Sequence, residues 1–137
     1  MSENWPDDML VYEIRIAQHS NNLDEIERFY CEGLGLKKVG EFRKHQGYDG
    51  IMIGLPDRRY HLEFTTHDNV SPLETPNKDN LLVLYIADEA AALRIAERLA
   101  SMGYNRVDSK NPWWDEHGAI TIEDPDKRCV VLQPDTK

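Results

Sequence analysis

Ile14 and Gly35 lie 21 residues apart, and so do Leu82 and Gly103. Each pair opens on a strand-like stretch and closes on a helix stop. Around Val11 to Ala17, the residues Tyr12, Ile14 and Ile16 alternate with Glu13, Arg15 and Ala17, the period of a half-buried strand. Asn21 and Asn22 then offer an N-cap, and Leu23, Ile26, Phe29, Tyr30 and Leu34 recur at helical spacing up to Gly33 and Gly35. Extended stretches follow at about Lys37 to Lys44, Gly50 to Leu55 and Tyr60 to Thr66. After a polar, proline-containing linker the order recurs: a strand at Leu81 to Ile86, a helix from Asp88 to Met102, and strand-like pieces near Tyr104 to Val107, Ala119 to Ile122 and Arg128 to Gln133. "LPDRR" and "DPDKR" mark the same turn in each half. A β-α-β-β-β unit used twice is therefore expected, in a single domain of 137 residues: module one at about 10–66, linker at 67–80, module two at about 81–134.

The formal charge of −9 argues against nucleic acid and against anionic membrane surfaces, since both are held by Lys and Arg. Cys31 and Cys129 match no zinc or redox spacing and read as small buried hydrophobes. The first residues are acidic where a signal peptide needs a positive start, and no apolar run approaches the ~20 residues of a membrane span. A cytoplasmic protein with reduced thiols is the expectation.

"NNLDEIERFYCEGLGLKKVG", then "YHLEF", then "EDPDKRCVVLQ", in that order, resemble the vicinal oxygen chelate superfamily. That group includes glyoxalases, bleomycin-resistance proteins and extradiol dioxygenases. The resemblance runs from about Leu10 to Pro134. It implies an α+β fold of two βαβββ modules, with sheets curled into a cup, helices outside, and assembly as a homodimer.

Strand alternation then decides which side chains face the cup. Leu62 and Phe64 belong against a helix, which turns His61, Glu63 and Thr65 inward. Tyr12, Ile14 and Ile16 should likewise meet the helix, leaving Glu13, Arg15 and Ala17 inside. In module two, Leu81, Val83 and Tyr85, with Cys129, Val131 and Gln133, face inward. Metal-dependent members of the superfamily carry a ligand on the first and last strand of each module. Carried over, Glu63 matches that pattern, but the other positions fall on Arg15, on Leu81 (or Asn80) and on Val131. Arginine cannot ligate, and leucine and valine have no donor. No cofactor is expected, with a divalent metal as the alternative should the first strand slide and offer Glu13. His67 is placed past the strand, in the linker.

What remains is Arg15, His61 and Glu63 around an apolar hollow. Arg15 and Glu63 form either a structural ion pair or a ligand grip. Trp113 and Trp114, on a loop-like stretch after Pro112, cannot both be core; one lines or covers the cup, with Tyr48 at the corresponding place in module one. Trp5 is assigned to a core end or dimer contact, and His19, His45 and His117 to isolated solvent or loop positions. No Ser-His-Asp order, phosphate loop or nucleophilic cysteine pattern stands out. The expected function is small-molecule binding, of an aromatic or heterocyclic ligand held by Arg15, Tyr48, His61, Glu63, Tyr85, Trp113 and Trp114. An enzyme of the same superfamily, with Glu63 as general base and Arg15 or His61 stabilising an oxyanion, is the competing class. A dimer with a vestigial cup is the third.

Overall fold

The computed structural model describes residues 13–56, 60–68, 72 and 74–135. Tyr12 and Trp5, and most of the turn at 56–59, lie outside the described residues. Module one contributes β1 (Ile14–His19), β2 (Lys37–His45), β3 (Tyr48–Gly54) and β4 (Tyr60–His67). Module two contributes β5 (Leu81–Ile86), β6 (Arg106–Val107), β7 (Ile120–Glu123) and β8 (Cys129–Pro134). The strand orders are β1-β4-β3-β2 and β5-β8-β7-β6, each with a parallel pair between its first and last strands and antiparallel pairs elsewhere. The α+β architecture of two βαβββ modules is thus present. The parallel pairs need the intervening helix as crossover, which is why each module reads β-α-β.

Asn22 caps α1 (Leu23–Glu27) through the Glu25 N–H, and Asp88 caps α2 (Glu89–Ser101) through the Ala91 N–H. Gly35 and Gly103, at φ of +92° and +99°, end the two helical stretches. The first helix departs from the simple α spacing expected. After Glu27 it widens into a π-helical segment, Arg28–Gly33, whose end is marked by the Leu34 N–H donating to the Phe29 carbonyl at 2.9 Å. The wider turn lets adjacent Phe29 and Tyr30 both reach the core, where they are 0% and 2% exposed.

The core is continuous through both modules and joins Phe29, Ile51, Ile53 and Phe64 to Leu99, Ile122, Val130 and Leu132. The modules meet through their helical segments. A Cβ on Gly33 would stand 2.3 Å from a Leu99 methyl, so a larger residue there would push the Leu99 side chain aside. Arg98 donates to the Gly33 carbonyl at 2.9 Å, and Arg28 to the Met102 carbonyl at 3.2 Å. A buried Tyr30 hydroxyl donates to Asp124 Oδ2 at 2.7 Å.

One burial expectation fails. Ile14 and Ile16 are 57% and 55% exposed rather than packed under a helix. α1 lies over β4 and β3, so the edge strand β1 extends beyond its cover. No helix among the described residues is long and apolar enough to cross a membrane.

Candidate functional site

Register across sheet one converts alternation into a map. Arg15 lies beside His61 and Ala17 beside Glu63; Glu63 in turn opposes Met52, and His61 opposes Gly54. These residues share the inner face. Across it Arg15 Nη1 stands 3.5 Å from Glu63 Oε1, and Arg15 Nε donates to Glu13. The hydrogen bond donated to Glu13, and then the Glu13 charge, raise the Arg15 pKa still further, so the guanidinium is a permanent cation. Two carboxylates thus share one guanidinium on a partly open surface. A guanidinium has five N–H donors, and this pairing leaves some for a further partner.

His61 completes the set. Its Nδ1 is buried without a hydrogen-bond partner among the described residues, and the nearest carboxylate oxygen, on Glu13, is 4.0 Å away. The ring lies across Gly54, where a Cβ would meet His61 Cδ2 at 2.9 Å. An orphaned buried nitrogen costs stability unless something pairs with it.

The same face holds residues that alternation alone had not assembled. His67 is the last residue of β4, half-buried, and is not in the linker as expected. Its ring lies 5.4 Å from that of His19 and 5.1 Å from that of Tyr48. His45 pairs with Tyr48 at the turn. Four of the chain's five histidines therefore share the inner side of sheet one. The missed signal was parity: 15, 17 and 19 belong together, as do 61, 63, 65 and 67. Tyr48 faces this side and is 45% exposed.

Module two is built differently. Val83 lies beside Val131, as Ala17 lies beside Glu63, so Leu81 occupies the place corresponding to Arg15. Its inner face lacks the charged set of module one and is covered in part. Segment 108–118, expected as a loop, contains a short helix α3 (Pro112–Glu116), capped by Asn111 and started by Pro112. Ser109 and Thr121 hydroxyls meet at 2.6 Å, and Gln133 Nε2 donates to the His117 carbonyl at 3.0 Å, strapping the segment to the sheet. Beneath it Val131 and Thr121 are 0% and 2% exposed. Trp114 is half-buried; Trp113 is exposed and stacks on His117 at 3.8 Å. Tyr85 is 69% exposed on the same sheet. Arg15, His61 and Glu63 thus come together, whereas Tyr85, Trp113 and Trp114 belong to the other sheet.

The donor set does not fit the metal that the fold family implies. Glu63 is engaged by Arg15, and Leu81 and Val131 offer nothing on the second sheet. Among the described residues no group of three or more His, Cys, Asp or Glu is placed to hold a metal ion. Burial is the main influence raising both thiols, Cys31 and Cys129, above their usual pKa, so neither is poised as a thiolate nucleophile.

A cleft of about 890 Å³ opens elsewhere, between β1, the end of β4, the inter-module residues and the start of β5. Of the seven expected ligand contacts only Tyr48 lines it. The charged set and the cleft are separate features.

Comparison with known proteins gives a consistent picture. The YycE-like N-terminal domain model matches residues 14–65, and the YycE-like C-terminal domain model matches 79–134. The uncharacterized protein YycE of Bacillus subtilis is 51% identical over 120 residues, covering 88% of this chain and 86% of that protein. A crystal structure of a Bacillus subtilis YycE protein, of unknown function and described as a candidate glyoxalase or fosfomycin resistance protein, has a TM-score of 0.85 at 46% identity, covering 91% of this chain and 90% of that one. The trypanothione-dependent glyoxalase I of Leishmania major aligns with a TM-score of 0.72 at 16% identity, covering 90% and 86%. TnmS3, an antibiotic-binding protein from a Streptomyces species, aligns at 0.65 and 17%, covering 93% and 98%. The last two likenesses concern the fold.

Proposed function

The chain belongs to the YycE-like family of the vicinal oxygen chelate superfamily, and on that premise we propose that it binds a small aromatic or heterocyclic molecule against the inner face of sheet one, without a catalytic metal. The observation that carries this reading is the Arg15 guanidinium shared by Glu13 and Glu63, beside a His61 nitrogen that lacks a partner among the described residues. Such a set can donate and accept hydrogen bonds at fixed positions on an open face. Tyr48 adds a ring on the same sheet. Tyr85, Trp113 and Trp114 would join from a second sheet, and a homodimer is the assembly that could supply one. The antibiotic-binding activity named for TnmS3 is the nearest analogy in kind, and it is an analogy of fold.

A thermal-shift screen of aromatic and heterocyclic compounds tests the reading, with Arg15→Ala as control. A ligand shift lost in Arg15→Ala is expected for at least one compound; a screen in which no ligand's shift depends on Arg15 would overturn it. Metal analysis of the purified protein tests the second half. Near-stoichiometric zinc, iron, manganese or nickel that disappears in Glu63→Gln would overturn the metal-free reading.

The His61 Nδ1, near Glu13 and without a partner among the described residues, favours one alternative. In it, Glu63 abstracts a proton next to a substrate carbonyl, and Arg15 or His61 donates to the oxyanion that forms. Exchange of that proton with deuterated solvent, abolished by Glu63→Gln, distinguishes it from binding alone.

A further inference from the structure

We infer that the cleft between the two modules is a second binding site, for an uncharged planar heteroaromatic molecule. It goes beyond the binding reading above, because neither Arg15, His61 nor Glu63 lines the cleft.

Its size comes first. About 890 Å³ lies within the range of small-molecule sites, roughly 300–1,000 Å³, whereas packed interiors leave few voids larger than a water molecule. Its position has a cause in the fold. β1 is an edge strand that α1 does not fully cover, so Ile16 remains 55% exposed along the cleft.

The lining sets the ligand class. One wall is apolar, formed by Ile16, Leu62 and Phe64 of module one facing Leu82 of module two. The other end carries the aromatic row of His19, His67 and Tyr48, whose rings are tilted by 36° and 50° to one another. Such rings favour a planar partner, through offset or edge contacts. Gln18, Asn77 and Asn80 add neutral amides able to donate or accept.

The charged lining residues are Glu74 and the Asp126–Arg128 pair. Arg128 is engaged by Asp126 at 3.2 Å and donates to the His19 carbonyl at 2.7 Å. Any ion would lose hydration against the apolar wall. An uncharged ring with heteroatoms loses little there and gains both walls.

The test is an NMR titration of the full chain with indole, with cyclohexanol as the non-planar control and tryptamine as the cationic one. Saturable indole binding is expected, with ring-current shifts at the His19 and His67 imidazoles and at the amides of Phe64, Leu81 and Leu82. Leu82→Trp, which fills the cleft, and His67→Ala should each weaken indole by about tenfold or more. Arg15→Ala should leave it unchanged, which separates this site from the one proposed above. Should Leu82→Trp fail to fold, His67→Ala carries the test. Absence of saturable shifts, equal binding of cyclohexanol, preference for tryptamine, or shifts centred on Arg15 would each overturn the inference.

Discussion

Arg15 Nη1 and Glu63 Oε1 face each other at 3.5 Å between the two parallel strands of sheet one, while Glu13 takes the same guanidinium from the other side. One guanidinium is thus shared by two carboxylates on the inner face. Arg15 is well exposed to solvent, so its ion pairs are screened and contribute little to folding. Arg15→Met should therefore leave the melting temperature almost unchanged while removing the effect of any ligand bound at this face. A large drop in melting temperature would show that the pair is structural.

Gly54 supports the same face by leaving room for the His61 ring. In Gly54→Ala, the new Cβ would press on His61 at a distance side chains do not normally adopt. The expected outcome is a displaced imidazole, seen as a changed His61 NMR resonance, and weaker ligand binding with near-normal secondary structure by circular dichroism.

Core truncation should be costly where both modules meet. Phe64 is 1% exposed and its ring lies 5.0 Å from Tyr30. Phe64→Ala should destabilise by about 3–5 kcal/mol in chemical denaturation. A loss under 1 kcal/mol would mean that the site collapses without a cavity.

The Tyr30–Asp124 contact links stability to pH. Burial, followed by the Asp124 charge and hydrogen bond, holds the Tyr30 hydroxyl well above its usual pKa. The folded value is the raised one, so this group's contribution is complete below about pH 10 and is lost as pH rises through the folded value. Wild type should lose stability more steeply than Tyr30→Phe above that point, measured by denaturant midpoints across an alkaline series. Parallel slopes would refute the linkage.

Asp124 behaves in the same sense at lower pH. Burial raises its carboxyl, while Tyr30, the backbone N–H groups of Arg128 and Asp126, and the Arg128 charge oppose that shift. Its contribution is complete below the ordinary aspartate value of about 4 and declines as pH rises through the raised one. Relative to Asp124→Asn, wild type should therefore lose stability as pH rises above about 4. An opposite slope would mean that the hydrogen bonds outweigh burial.

The duplicated order, the helix stops at Gly35 and Gly103, and the shared inner face of Arg15, His61 and Glu63 were all legible in the residues. Each rests on a local regularity: a repeat, a positive-φ stop, or the two-residue period of a strand. The same regularity showed that module two lacks donors where module one has Glu63. Parity also contained His19 and His67, but only if β1 ran two residues and β4 one residue further than their composition suggested. The exposure of Ile14 and Ile16 was not legible, because alternation names a face without saying whether a helix reaches it. Nor was the strap of α3 over Val131 and Thr121, or the cleft beside β1. These depend on where segments dozens of residues apart come to rest, and the packing of the two helical stretches against each other decides that. The sequence by itself determined which side chains share a face; tertiary structure alone decided which of those faces stays open.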